Sequence, residues 1–188
     1  MCGAETILNS GGYVVIRKAV RTVMIMLAAL VIPAAILTVQ LPAGAATGQL
    51  CETNNTNNYC LNTADFNLYT VVKEGGNGNG RTISEDAQGG KYANYPTYLL
   101  RFNGDSSKCV GSSNDIQTVE IKPCNGGTGI VWARVTVSNN VYQWINVYAS
   151  KNNDQGQYLY LTGRGIQGSG YIMVPVGSYG LYQKFRFG

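Results

Sequence analysis

The chain has 188 residues, 14 Lys/Arg against 10 Asp/Glu, and no histidine. A net charge of +4 over this length is too weak and too scattered to suggest a nucleic-acid partner. Without histidine the commonest general base and metal ligand is missing, and with it Ser-His-Asp and Cys-His catalysis.

Residues 1–46 read as a secretory leader. Arg17, Lys18 and Arg21 form a basic patch, an apolar run extends from Val23 to Leu41, and Ala43-Gly44-Ala45 has the small-x-small pattern of a cleavage site. The run is nearly long enough to span a bilayer, but Pro33 interrupts it and the cleavage-like end argues against an anchor. The expected cut falls after Ala45 or Ala46. It leaves residues 47–188 as one extracellular domain, with no membrane attachment and no nucleic-acid partner. That domain has 11 Lys/Arg and 9 Asp/Glu, a net charge of only +2. The segment before Arg17, MCGAETILNSGGY, is not basic, and a bacterial GTG start at Val14 or Val15 would account for it.

Of the five cysteines, Cys2 lies in the leader and Cys51, Cys60, Cys109 and Cys124 remain. An even number in an exported chain reads as two disulfides. Three pairings are allowed; Cys51–Cys60 and Cys109–Cys124 are favoured because each closes a local loop between neighbouring strands. A zinc site would need tighter CxxC spacing and usually histidine, so no metal and no cofactor are expected.

No window of residues 47–188 carries a helical period. Short apolar or alternating runs recur instead: NLYTVV (67–72), TYLLRF (97–102), TVEIK (118–122), ARVTV (133–137), VYQWINVYA (141–149), YLYLT (158–162), YIMVPV (171–176) and KFRF (184–187). Gly, Asn, Ser and Asp separate them, which predicts an all-β sandwich or barrel. Ser138-Asn139-Asn140 reads as a hairpin loop, since Asn tolerates positive φ. GGNGNG (75–80) has no helix after it, so it reads as a flexible turn rather than a phosphate loop.

Shifted by 49 residues, the sequence matches itself. Cys60 falls on Cys109 and then Tyr158, Asn54 on Asn103, Val72-Lys73 on Ile121-Lys122, Gly75 on Cys124, and Ile83 on Trp132. Asn103-Gly104-Asp105 falls on Asn152-Asn153-Asp154, and in a drifted third copy Gln183-Lys184-Phe185 replaces the Trp132 segment. Three such units of four strands predict a β-trefoil, with the β-sandwich as the alternative.

The second copy carries a family likeness. Lys108-Cys109-Val110, Val119-Glu120-Ile121-Lys122-Pro123-Cys124-Asn125-Gly126 and Val131-Trp132 resemble the K-C-L-D, V-x-L-W-x-C-N and Q-x-W elements of the ricin-B-type lectins. The resemblance covers nearly all of residues 47–188 through degenerate motifs. It implies a trefoil, supports the Cys109–Cys124 bond, and implies a carbohydrate or glycoconjugate partner. The family's sugar-binding Asp falls on Asn62, Gly111 or Tyr160, and its aromatic platform on Lys73, Lys122 or Val174, so no copy keeps the full constellation.

The chain has 13 tyrosines, a composition that suits sugar stacking but equally suits half-buried strands. Tyr92, Tyr95 and Tyr98 are the expected exposed cluster. In VYQWINV, alternation places Val141, Gln143, Ile145 and Val147 toward the core and leaves Tyr142 and Trp144 as an exposed pair. The candidate ligand contacts are Asn62, Asp65, Asp115, Glu120, Asn125, Tyr142 and Trp144. Glu85-Asp86 reads as a loop pair. Adjacent strand residues point to opposite faces, so it is a poor glycosidase dyad, and no catalytic residues are expected. The leading reading is a secreted, non-catalytic carbohydrate-binding module. The alternative is a secreted protein-binding or inhibitor trefoil whose sugar site does not work. Peptide mapping of the unprocessed precursor should find no peptide upstream of Val14; one beginning at Met1 would refute the late start.

Overall fold

The computed structural model describes residues 45–53, 57–76, 80–178 and 180–188. The leader up to Gly44, Cys2, Asn54 and residues 77–79 of the glycine segment lie outside them. The described chain is all-β apart from one short helix and a 3-10 turn. The strands are β1 (Thr47–Glu52), β2 (Cys60–Asn62), β3 (Lys73–Gly75), β4 (Thr82–Tyr92), β5 (Tyr95–Phe102) and β6 (Asp105–Ser112). Then come β7 (Val119–Pro123), β8 (Val131–Ser138), β9 (Val141–Asn146), helix α1 (Val147–Asn152), β10 (Leu159–Thr162), β11 (Ile172–Pro175) and β12 (Phe185–Phe187).

Six strands close a barrel. Antiparallel pairs run β1·β4, β4·β5, β5·β8, β8·β9, β9·β12 and back to β1, which leaves no open sheet and excludes the sandwich. The other six strands form hairpins β2·β3, β6·β7 and β10·β11, attached through Cys51↔Cys60, Arg101↔Cys109 and Ile145↔Tyr160. The register relates Ile83, Trp132 and Phe185, the positions matched in the sequence, and places Leu50, Leu100 and Trp144 in one layer. All six side chains are fully buried in one shared core.

The hairpins meet in a ring of backbone hydrogen bonds. Val72 donates to Val119 (2.8 Å), Val119 to Tyr171 (3.1 Å) and Tyr171 to Val72 (2.9 Å). The 49-residue spacing therefore fails at the hairpins, where the copies step from residue 72 to 119 to 171. Glu74, not Val72, stands in the place of Ile121 and Met173. Opposite Cys60 lies Gly75, the counterpart of Lys122, which corrects the match of Gly75 to Cys124. Tyr160, not Tyr158, is the counterpart of the two cysteines.

Other expectations also change. Residues 67–72 form no strand beyond a bridge at Val71. The strand expected over 141–149 ends at Asn146, whose Oδ1 accepts from Ala149 N (2.9 Å) and caps α1. β4, polar enough to lack any apolar run, is a full barrel strand, and Glu85 and Asp86 lie on it rather than in a loop. The Ser138–Asn140 turn forms as expected, with Asn140 at φ 56°. Cys51–Cys60 and Cys109–Cys124 are both bonded.

Each hairpin tip needs a left-handed residue at the same place: Tyr69 (φ 66°), Ile116 (φ 55°) and Gly168 (φ 83°). Only the third copy meets the requirement without steric cost. Nothing lies near an added Cβ at Gly168, so Gly168→Ala isolates the backbone term. It should lower stability by about 1 kcal/mol, and Tyr69→Gly should not lower it by more than the loss of its contact with Lys122. Urea midpoints at unchanged m-value check both.

Candidate functional site

Each hairpin tip leans on the next hairpin. Ile121 N donates to Thr70 O (2.9 Å), Met173 N to Gln117 O (2.9 Å) and Glu74 N to Ser169 O (2.8 Å). Grooves follow from this cyclic overlap, and two of them are clefts. The first, about 410 Å³, lies between the second tip (Ile116, Gln117) and the third hairpin, where Leu159, Ile172, Met173, Val174 and Pro175 form an apolar floor. Asn152–Gln155 and Arg164 complete its rim.

The rim is built by local polar clamps. Asn153 Nδ2 donates to Ser150 O and to Gln157 O (both 2.7 Å), and its Oδ1 accepts from Gln157 N (3.0 Å), which fixes the turn after α1. Ser150 Oγ accepts from Leu159 N (2.8 Å) and ties α1 to β10. On the far side, Arg164 N donates to Glu74 Oε1 and Ile166 N to Glu74 Oε2 (2.7 Å), so one carboxylate orders the segment carrying Arg164. Among the described residues, the side chains of Gln117, Asp154 and Gln155 make no hydrogen bond to the protein. Their polar groups, with the exposed Arg164, face a cleft whose floor is apolar.

The second cleft, about 540 Å³, surrounds the first hairpin and is lined by Asn62, Lys73, Glu74, Arg81, Gln167 and glycines. Its cations give it a basic character.

The residues singled out in the sequence do not converge. Asn62 lines the second cleft, with its Oδ1 accepting from Thr63 N (2.8 Å). Asp65 is exposed and shapes its own turn, accepting from Thr70 Oγ1 (2.8 Å) and Asn67 N (3.1 Å), bonds that lower its pKa. Asp115 does the same in the second copy through Ser113 Oγ and Gln117 N. Glu120 pairs with Lys122 (3.3 Å) on β7, and Asn125 is exposed in the turn after Cys124.

Trp144 is fully buried, contrary to expectation, and Tyr142 is half-buried beside it, with ring centroids 6.2 Å apart. The alternation in β9 runs the other way: a closed barrel takes the larger ring inside, and Ile145 packs outside with Ala133 and Tyr160. Tyr98 is buried as well. Of the expected tyrosine cluster, Tyr95 remains exposed, and Tyr92 packs edge-on against Tyr158 at 5.7 Å. The corrected register also moves the family's sugar-site positions. The Asp position of the third copy becomes Thr162, and the platform position of the first becomes Gly75.

No family profile and no curated protein matches the chain. Among solved structures it is similar to "designed 3-fold symmetric protein, ThreeFoil", at 14% identity and a TM-score of 0.53, over 74% of this chain and 96% of that one. The chain is a β-trefoil. At this identity the likeness concerns the fold alone, and the two disulfides are consistent with an extracellular protein.

The trefoil departs from its own symmetry at two buried acids. Glu52 occupies the position of Phe102 and Asn146, and Glu74 that of Ile121 and Met173. Burial, the neighbouring Glu74 carboxylate and a hydrogen bond to Tyr171 act on Glu52, and burial dominates, pushing its pKa from 4.5 up to about 8. Glu74 is raised by burial too, and Tyr171 is raised well above its usual value. Between pH 4.5 and about 8 the folded chain holds a proton on Glu52 that the unfolded chain has released. Stability should therefore fall as pH rises through that window. Asp65 and Asp115 are lowered, so they act on the acid side of it. Thermal melts from pH 4.5 to 8 should show a declining Tm that Glu52→Gln largely flattens; a Tm rising across this range would refute the assignment.

Proposed function

We propose that this trefoil is an exported, non-catalytic carbohydrate-binding module related to the ricin-B-type lectins, with the cleft between the second tip and the third hairpin as its sugar site. The supporting observation is that unengaged polar side chains, Gln117, Asp154 and Gln155, stand with Arg164 over the apolar floor of Ile172, Met173 and Val174. A pyranose has this divided character: hydroxyls around the ring edge and C–H groups on its faces. Amides and carboxylates match the edge, and an apolar floor matches a face. The cleft has no aromatic platform, so affinity rests on polar contacts and should be modest. The alternative, a protein-binding or inhibitor trefoil, draws on the exposed rings of Tyr95 and Tyr158, the latter packed edge-on against Tyr92, over whose ring Lys151 lies.

Binding to a panel of polysaccharides and glycans tests the proposal. At least one glycan should bind, and Asp154→Ala should weaken it about tenfold, the loss expected for one charge-assisted hydrogen bond, with an unchanged melt. No binding across the panel overturns the sugar reading, and a protein partner that free sugar does not displace favours the alternative.

A further inference from the structure

The hairpins attach at one end of the barrel, near Cys51, Arg101 and Ile145; the other end begins at Ala46. There the register brings Glu85, Arg134 and Phe187 to one inward position in the three copies. Two copies thus place opposite charges where the third places a ring. Arg134 Nη1 donates to Glu85 Oε2 at 2.6 Å, and the side chains are 5% and 0% exposed. The guanidinium lies between two rings, 4.5 Å from the centroid of Tyr98 and 4.9 Å from that of Tyr142.

The first residue of the barrel joins this pair. Ala46 N donates to the same Glu85 Oε2 (3.0 Å), while Glu85 N donates to Ala46 O (3.0 Å). Glu85 Oε1 is buried and has no hydrogen-bond partner among the described residues. A carboxylate buried with one oxygen unmatched is costly, and it asks for a further donor. Ala46 is half-buried and Ala45 is exposed, so the cluster sits at the bond where the small-x-small pattern ends.

We infer that export cleaves the chain between Ala45 and Ala46, and that the α-ammonium so formed is a structural cation held by Glu85. A host export peptidase hydrolyses the Ala45 C–Ala46 N bond. Water supplies the new Ala45 carboxylate, and the freed amine takes a proton. The backbone amide offers one N–H to Glu85, whereas the ammonium offers three, enough to keep Oε2 and supply Oε1. Glu85 then carries two cations. Tyr98 and Tyr142 receive the charge of Arg134 on their faces, and half-buried Ala46 keeps the ammonium in touch with water. A cut after Ala46 would instead delete both Ala46 hydrogen bonds and leave the Glu85 carboxylate with Arg134 alone. The geometry thus chooses between the two cuts that the sequence left open. The inference rests on export of the chain and is independent of the sugar site.

The test uses the full chain, exported by a bacterial host and recovered from the medium. Intact mass and N-terminal sequencing should place Ala46 first. Acetylation of its α-amino group near pH 7, followed by peptide mass spectrometry, should be at least about tenfold slower in the folded protein than in concentrated urea, because an ion-paired ammonium resists losing its proton. Glu85→Gln should restore most of the rate. If that variant folds poorly, the folded-against-urea comparison on the unaltered protein still decides. A mature chain beginning at any other residue, or equal acetylation rates in the two states, overturns the inference.

Discussion

The ring in which Val72, Val119 and Tyr171 each donate a backbone hydrogen bond to the next copy is the constraint on which the rest depends. A single hairpin of three to eight residues per strand has no core of its own. The ring fixes the three hairpins around one axis, and that placement lets Leu61, Val110 and Leu161 bury fully beneath them. The tips then overlap the neighbouring hairpins, and the clefts are the spaces this overlap leaves. Site geometry here is a by-product of how the copies seal one another.

Where the copies differ, charge has replaced hydrocarbon. Glu74 takes the place of Ile121 and Met173, yet it is not stranded, because the backbone of Arg164 and Ile166 in the adjacent tip donates to it. That exchange links the first copy to the segment that presents Arg164 to the cleft. Trp132 shows the opposite solution: its ring fills the core while Nε1 donates to Val110 O at 2.7 Å, so a large side chain is buried without leaving a donor unmatched.

The architecture is legible in the sequence because the barrel layer is carried by large apolar residues that recur once per copy; Ile83, Trp132 and Phe185 stand where the repeat, with its drift in the third copy, places them. The first hairpin sits two residues away from the 49-residue register because the loops differ in length, and the Val72-Lys73 and Ile121-Lys122 pairs offer a false match. β4 is not legible as a strand because its inward Glu85 is neutralised by a residue 49 positions away, a partner no local window contains. Alternation gives the strand of Trp144 two faces without saying which is inside, and the inner face of a closed barrel has room for the bulkier ring. The candidate site was the least legible part. Asp154 and Gln155 look like any polar turn, and their relation to Arg164 exists only once α1, the second tip and the third hairpin are assembled.

The two disulfides have a limited reach. Cys51–Cys60 spans 9 residues and Cys109–Cys124 spans 15, so each crosslink begins and ends within a single copy, and the third copy has none among the described residues. They shorten local excursions of the denatured chain without tethering one third of the trefoil to another. Among the described residues, the peptide backbone is the one covalent link between the thirds, and the rest of their cohesion is noncovalent. A reducing environment would thus loosen two of the three lobes, while the mutual grip of the lobes and the unbridged third would depend on the shared interior alone.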